Sequence, residues 1–360
     1  MLRMVLIVDN KRNSSIELLR IFAIFMIVIS HLSLYGNWNV NNLSVIKKTE
    51  LLMFEPLGSI GAAIFFIITG YFSYSNHQII SLKIQKSLQK VLTIWTEVIF
   101  YSLIICFIAI FLLQIKPNLL LIAKAIFPIC LNEYWFVTAY VLLMILEPFI
   151  VETLITIDKR IFLYLIIILY LCLFLGLANN DMISRFSITI ASFLIGAYIR
   201  KYSIKIDILK TKFLFLFVCV LYLFELLILY VMNYIGISFL NSLYFTNFVL
   251  PVFIASFIFI LSIRQKEFNK ASINSISKCV FAVYLITEHP MLRNILWNDV
   301  VNPRRFQNSL WFPIFSLIIT ISIFLVCCAI DMVRQSMFKL FKINKVREII
   351  VARVLKLIFK

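Results

Sequence analysis

Three ionisable residues, Glu17, Arg20 and His31, share one face of the first long apolar stretch in the sequence. Arg20 and His31 are eleven residues apart, and eleven helical steps return the chain to within about 20° of the same face. Arg20 and His31 are thus roughly 16 Å apart along the helix, and Glu17 precedes Arg20 by three residues on the same face. Ionisable groups inside an apolar segment are rare and costly, which makes each a functional candidate. We therefore predict that His31, Arg20 and Glu17 carry catalytic chemistry.

Each of these residues also has a structural interpretation. Glu17 completes a Ser14-x-x-Glu17 capping box, and Arg20 can extend its guanidinium to lipid headgroups. A lone histidine is more often structural, but His31 shares its face with an arginine, which favours function. A neutral imidazole either takes a proton from a hydroxyl as a general base or carries an acyl group covalently.

A second candidate group is basic. Lys83, Lys86 and Lys90 follow the second apolar stretch at spacings that let them share a helix face. Such a group suits a phosphate site, although a cytoplasmic loop selected only for positive charge explains the composition equally well.

Two later stretches carry aromatic and polar residues. Tyr134 and Trp135 are typical of an aromatic interface belt, and His289 is equally suited to contact with water at an interface. The seven cysteines form no CxxC pair and there are only three histidines. The sequence therefore predicts no disulfide framework, no metal site and no permanently bound cofactor.

The composition is that of a membrane protein. Hydrophobic residues make up 62% of the 360 residues, charged residues only 14%, and the mean hydropathy is +1.01. These values exclude a single aqueous domain and a disordered chain. We predict an all-α, polytopic transmembrane helical bundle of about ten spans, each about 20 residues long: 16–36, 55–74, 90–113, 133–155, 160–178, 183–200, 212–235, 243–263, 275–292 and 309–333.

Three further segments complete the predicted organisation. Residues 1–13 form an N-terminal segment before the transmembrane domain, 14–333, and residues 334–360 form a basic tail. The tail alternates apolar and basic residues at helical spacing, which favours an amphipathic helix on an anionic lipid surface over a solvated tail. Residues 119–131 are apolar but short, which favours a re-entrant or interfacial piece.

The charge distribution predicts the orientation. With both termini inside, the inner segments carry 25 Lys and Arg residues and the outer ones 8. Cytoplasmic loops carry the excess of positive charge, so both termini are predicted to be cytoplasmic. The net charge of +17 then needs no nucleic-acid partner.

Four segments of the sequence resemble the membrane acyltransferase-3 family. Arg20 and His31 match its R-x10-H signature, and 65–72 (FFIITGYF) resembles its FFxxSGYF segment. Residues 134–136 (YWF) and 281–290 (FAVYLITEHP) resemble two later blocks in the same order. Ten spans is also the family's usual number.

The resemblance implies transfer of an acyl group, most often acetyl, from cytoplasmic acyl-CoA to a sugar hydroxyl of a surface glycan or its lipid-linked precursor. His31 would be the catalytic histidine and Arg20 its partner. The family's basic RxxR pair would fall on Lys83 and Lys86, where lysine replaces arginine, with Lys90 in support. Thr287 replaces a histidine found in many relatives. The predicted substrate contacts are Tyr71, Tyr134, Trp135 and His289.

Two other functions fit the same residues. A glycan exporter without acyl-transfer activity would use buried charges to line a polar path, although no internal repeat is visible. A structural partner of a glycan-assembly complex is the third reading. The composition, rich in Ile, Lys, Asn and Phe, points to an AT-rich bacterial genome and hence to a bacterial plasma membrane.

The predicted orientation is tested with a single cysteine placed in 36–55 of a variant from which all seven native cysteines have been removed. An impermeant thiol reagent should label it in intact cells, because that segment is predicted to be outside. A cysteine in 334–360 should react only after lysis, and labelling of the tail in intact cells would overturn the orientation.

Overall fold

The computed structural model describes residues 13–41, 43–74, 79–112, 114, 116–176, 181–202, 210–236 and 249–359. Residues 1–12 of the predicted N-terminal segment, and the first part of the predicted span 243–263, lie outside the described residues. Within these ranges the chain is helical and contains no strand. The prediction of an all-α fold is therefore confirmed.

The described residues form fifteen α-helices. Brief 3-10 or π segments lie at Ser277–Cys279, Ile295–Val301 and Pro303–Phe306. The α-helices are α1 Ser14–Tyr35, α2 Val45–Leu52, α3 Pro56–Ser73, α4 Ile80–Phe111, α5 Leu119–Ile126, α6 Trp135–Thr156, α7 Lys159–Gly176, α8 Asp181–Lys201, α9 Thr211–Tyr234, α10 Val249–Ile263, α11 Ala271–Ile276, α12 Val280–Glu288, α13 Pro290–Asn294, α14 Phe312–Leu340 and α15 Ile343–Ile358.

Six helical segments of the described chain are long and apolar enough to cross a membrane. The predicted number of about ten is therefore not confirmed. A seventh apolar helix, Leu250–Ile263, is shorter. The six segments are Ser14–Tyr35, Val45–Ser73, Ile80–Phe111, Trp135–Thr156, Thr211–Tyr234 and Phe312–Leu340.

The predicted span 275–292 is not one continuous helix. Helix α12 ends at Glu288 because Pro290 lacks an N–H and disfavours the helical conformation in the residue before it. His289 accordingly has an extended ψ of 124°, and its Nδ1 accepts a hydrogen bond from the Met291 N–H at 3.2 Å, at the start of α13. The buried carboxylate of Glu288 therefore lies at a helix end inside the bundle.

Two boundaries differ from the predicted ones in ways that matter for the site, and one short helix is as short as expected. Helix α4 starts at Ile80, so all three predicted basic residues lie in its first turns. Helix α14 continues to Leu340, so the predicted domain boundary after residue 333 falls within it. Helix α5 has eight residues, a length of about 12 Å that is too short to cross a bilayer.

The start of α1 is held by a different cap from the predicted one. Asn13 is the N-cap, and its Oδ1 accepts from the Ser15 N–H at 2.9 Å. The capping-box interpretation of Ser14 and Glu17 is therefore wrong. The Ser14 hydroxyl instead donates to Asn274 Oδ1 at 2.8 Å and so ties α1 to α11. The Glu17 carboxylate is left available for a side-chain partner.

Helix α3 packs closely between α1 and α8 through small residues. A Cβ on Gly61 would overlap the backbone carbonyl of Ala23 in α1, and a Cβ on Gly70 would overlap that of Phe193 in α8. Small residues let helix backbones approach where lipid offers no hydrophobic drive between helices. The close approach of α3 at Gly61 thus fixes the position of α1.

Substitution of Gly70 by Ala should destabilise this packing. The new methyl group would meet the Phe193 carbonyl, which belongs to a helix backbone and cannot rotate away. Overpacking of this kind costs about 1–3 kcal/mol, so the melting temperature of the detergent-purified protein should fall. Phe72→Ala, at an exposed position two residues further along, is the control. Equal melting temperatures for Gly70→Ala and wild type would contradict this packing.

Candidate active site

Helix α1 runs past two cavities, which we call the basic cavity and the histidine cavity. The basic cavity has a volume of about 1180 Å³, and Glu17, Arg20 and Ile24 line it. The histidine cavity has a volume of about 590 Å³, and Ser30 and His31 line it. The predicted stripe on α1 therefore faces cavities along its length, with its two ends in different ones.

The two cavities meet at a shared layer of side chains. Ile27, Phe136 and Tyr284 line both, and all three are buried. They come from α1, α6 and α12, so three helices meet at this layer, which we call the septum. A ligand in the basic cavity therefore lies within one side chain of the histidine cavity.

His31 is paired with a buried carboxylate. Its Nε2 lies 3.2 Å from Glu288 Oε2. The Tyr35 hydroxyl donates to Glu288 Oε1 at 2.8 Å, and Arg293 Nη1 lies 3.5 Å from that oxygen. Glu288 thus has three donors, and charge-assisted hydrogen bonds of this kind stabilise a buried carboxylate.

This contact fixes which imidazole nitrogen is basic. An ionised carboxylate only accepts hydrogen bonds, so in neutral His31 the proton lies on Nε2. The other nitrogen, Nδ1, is buried and has no hydrogen-bond partner among the described residues. The rings of Tyr35, Tyr284 and Trp297 surround the imidazole, with centroids 5.6, 6.4 and 6.5 Å away. His31 therefore has the arrangement of a base oriented by a carboxylate.

The predicted site residues do not include Glu288, although the sequence carries a signal for it. It is an acidic residue in an apolar stretch, immediately before His289-Pro290, and ionisable residues in such stretches are functional candidates by default. Tyr35 and Arg293 carry no comparable signal, because a tyrosine or arginine near a helix end is common at membrane interfaces. Only the fold brings them to Glu288.

The basic cavity is strongly positive. Arg20 Nη1 and Glu17 Oε1 form an ion pair at 2.8 Å, so both predicted partners of His31 lie in this cavity and not beside the imidazole. Among the described residues, the lining contains one other carboxylate, Glu97, and nine cations. Such a lining suits a ligand with several phosphate groups. The cations are Arg20, Lys86, Lys90, Lys278, Arg334, Lys339, Lys342, Lys345 and Arg347.

Two of the three predicted lysines line this cavity and one does not. Lys86 and Lys90 do, and Lys90 Nζ lies 3.6 Å from Glu147 Oε2. Lys83 is buried against α6 instead, with its Nζ 2.6 Å from Glu152 Oε2. The predicted common face therefore holds for Lys86 and Lys90 only.

Of the predicted substrate contacts, Trp135 alone lines one of these two cavities. It belongs to the histidine cavity, and the Arg185 guanidinium lies 5.2 Å above its ring. Lys124 and Glu133, an ion pair at 2.7 Å, line the same space. Aromatic and charged groups together suit a polar ligand that has apolar faces.

The other three predicted contacts line neither cavity. The Tyr134 hydroxyl donates to the Leu285 carbonyl at 3.2 Å, and its ring packs edge-on against His289, 5.7 Å away. His289 is 3% exposed and caps α13. Tyr71 lies on the far side of α3, where its hydroxyl accepts from Arg200 at 3.2 Å. The structure gives these residues packing and capping contacts. The described residues contain no group of three or more His, Cys, Asp or Glu side chains that could hold a metal ion.

The fold and this site define a helical membrane protein with a buried histidine–carboxylate pair between a basic and a mixed-polarity cavity. A family model described as an acyltransferase domain, Acyl_transf_3, matches residues 13–332. The chain therefore belongs to the acyltransferase-3 family. The apolar helices and the family together make it a multi-pass membrane protein. No curated protein and no solved structure matches the chain.

The contact between Lys83 and Glu152 predicts an asymmetric effect on stability. Glu152→Met should lower the melting temperature more than Lys83→Met, because it leaves a buried ammonium group without its partner, whereas Glu152 is half exposed. The double variant should recover most of the loss. Lys86→Met is the control, and a Glu152→Met protein as stable as wild type would contradict the pairing.

Proposed function

We propose that this protein transfers an acyl group, acetyl in the simplest case, from acyl-CoA to a hydroxyl of a surface glycan or its lipid-linked precursor. The observation that carries the proposal is the position of His31, which lies beside a septum with a phosphate-compatible cavity on its other side. The family match supports the acyltransferase chemistry. The proposed location is a bacterial plasma membrane.

The proposed donor site is the basic cavity. Lys86, Lys90 and Arg20 would contact the phosphates of acyl-CoA, and the long flexible arm of the coenzyme would lead the thioester along α1 to the septum. With both termini cytoplasmic, as the loop charges predict, this cavity opens to the side on which acyl-CoA is made. The acceptor sugar then occupies the histidine cavity, next to Trp135.

The proposed reaction is a proton-coupled substitution at the thioester carbonyl. A sugar hydroxyl is a weak nucleophile, so His31 Nδ1 takes its proton as the oxygen attacks. The carbon–sulfur bond breaks, and the departing thiolate takes the proton back from the imidazolium. The products are the sugar ester and free CoA. Glu288 holds the imidazole and stabilises its charged form.

A covalent route uses the same residues. The imidazole attacks the thioester carbonyl, the carbon–sulfur bond breaks, and CoA leaves as its thiol with the imidazole proton. The acyl group rests on His31 until the sugar hydroxyl takes it and returns its own proton to the imidazole. Rapid quenching of enzyme mixed with labelled acyl-CoA distinguishes the two routes, because only this one labels the protein. Either route requires His31, so the tests of the proposed function do not depend on the choice.

Exchange of His31 is the direct test. His31→Ala should lower acyl transfer by roughly 10²–10⁴-fold, the usual contribution of a general base. His31→Gln should not restore it, because an amide cannot take the proton. Glu288→Gln should lower kcat while the KM for acyl-CoA stays near its wild-type value. The readouts are in vitro transfer and mass spectrometry of the surface glycan.

The same experiment separates the enzyme from the exporter. Loss of an enzyme leaves the amount of surface glycan unchanged but without its acyl group, whereas loss of an exporter lowers the amount. Protein level and monodispersity in detergent control for folding. Equal acylation in wild type and His31→Ala would remove His31 from the mechanism.

A further inference from the structure

The C-terminal end of the chain forms a wall of the basic cavity. Five of the nine cations that line the cavity follow residue 332, where the family match ends. Arg334 and Lys339 come from α14. The chain then turns at Lys342, whose φ is +52°. The other two cations, Lys345 and Arg347, lie in the first two turns of α15. More than half of the positive charge of the cavity therefore comes from outside the matched domain.

Arg347 on α15 is the most deeply buried of the three lining cations that follow α14. It is 9% exposed, and its guanidinium donates to Thr96 Oγ1 from Nε at 2.8 Å and to Asn344 Oδ1 at 3.1 Å. It also lies 5.4 Å above the ring of Phe338. All of these partners are neutral, and Arg347 forms no ion pair within the described residues. A buried cation usually has a carboxylate partner, and here the open side is the cavity.

Arg334 lines the same cavity and has carboxylate partners, as buried cations usually do. Its Nε lies 2.6 Å from Asp331 Oδ1, and its Nη1 lies 3.3 Å from Glu97 Oε1. Its charge is thus compensated within the protein. Arg347 differs from Arg334 in having no carboxylate within ion-pair distance among the described residues, since Glu97 pairs with Arg334 and attracts Arg347 only at longer range.

Two lysines extend this unpaired charge. Lys342 and Lys345 line the cavity from the start of α15, and neither has an ion-pair partner among the described residues. Because α15 also packs on α4 through Arg347 and Thr96, its first turn lies close to the helix that carries Lys86 and Lys90. An anion in this corner would meet cations from two sides.

We propose that the start of α15, with Lys342, Lys345 and Arg347, binds phosphate groups of the nucleotide part of the acyl donor. This inference rests on the proposed function, in which the basic cavity holds acyl-CoA. A guanidinium forms paired hydrogen bonds with phosphate oxygens, and the two lysines add point charges. The C-terminal helix is then part of the donor site and not only a lipid-surface anchor.

Anionic lipid headgroups carry the same phosphate chemistry and are attracted by basic helices. The test therefore measures binding of CoA itself to the full-length protein in nanodiscs made of phosphatidylcholine alone, and again in nanodiscs that include phosphatidylglycerol. One variant is the double substitution Lys342→Gln/Lys345→Gln, at two exposed positions. The other is Arg347→Gln. The matched control, Arg353→Gln/Lys356→Gln, removes the same charge from the same helix at positions outside the cavity lining.

The expected result is a loss of CoA affinity of roughly tenfold or more in the Lys342/Lys345 variant and in Arg347→Gln, with the control unchanged, in both kinds of nanodisc. If CoA affinity falls equally in the control variant, the cations act only through long-range charge. If it falls only in nanodiscs that contain phosphatidylglycerol, the cations act through lipid. Either result would overturn the inference.

Failure of this inference is distinguishable from failure of the proposed function. If wild type binds CoA and His31→Ala abolishes transfer while the α15 variants bind CoA normally, only the role of α15 is wrong. If wild type does not bind CoA at all, the donor assignment fails, and the α15 inference fails with it.

Discussion

The pairing of Glu288 with His31 is the interaction on which the arrangement of the bundle depends. A carboxylate in an apolar interior is costly unless donors surround it, and here Tyr35, Arg293 and the imidazole supply them. Two of these groups come from α1, and Glu288 ends α12. The pairing therefore joins α1 to α12, and the other imidazole nitrogen of His31 has no hydrogen-bond partner among the described residues.

Helix packing positions these groups where hydrogen bonds alone would not. Gly61 and Gly70 bring α3 against α1 and α8 at backbone distance, and the break at Pro290 ends α12 where its last carboxylate meets His31. A polar centre in an apolar bundle needs such rigid support, because an error of about 1 Å in a catalytic group is costly. The small residues and the proline therefore help to fix the positions of the site residues by setting where the helices pack and end.

The sequence predicted the features that depend on one helix and missed those that depend on several. The stripe of Glu17, Arg20 and His31 follows from helical periodicity, and the all-α fold follows from the apolar composition. The partner of His31 could not be deduced in this way, because 253 residues separate even Tyr35 from Glu288. Spacing groups Lys83 with Lys86 and Lys90, but the direction of the Lys83 side chain depends on where α6 lies. The number of spans also depends on tertiary context, since short or broken helices cross the interior of a bundle only with neighbours to cover them.

The septum also bears on the electrical insulation of the membrane. Its three side chains, Ile27, Phe136 and Tyr284, line both of two spaces that also contain charged residues. A cell that stores energy as an ion gradient loses it through any continuous thread of water. Moving a single charge across 100 mV involves about 2.3 kcal/mol, so even a rare leak dissipates energy. Apolar and aromatic side chains between two polar spaces keep water and ions from joining them, so Ile27, Phe136 and Tyr284 have a place in insulation as well as in packing.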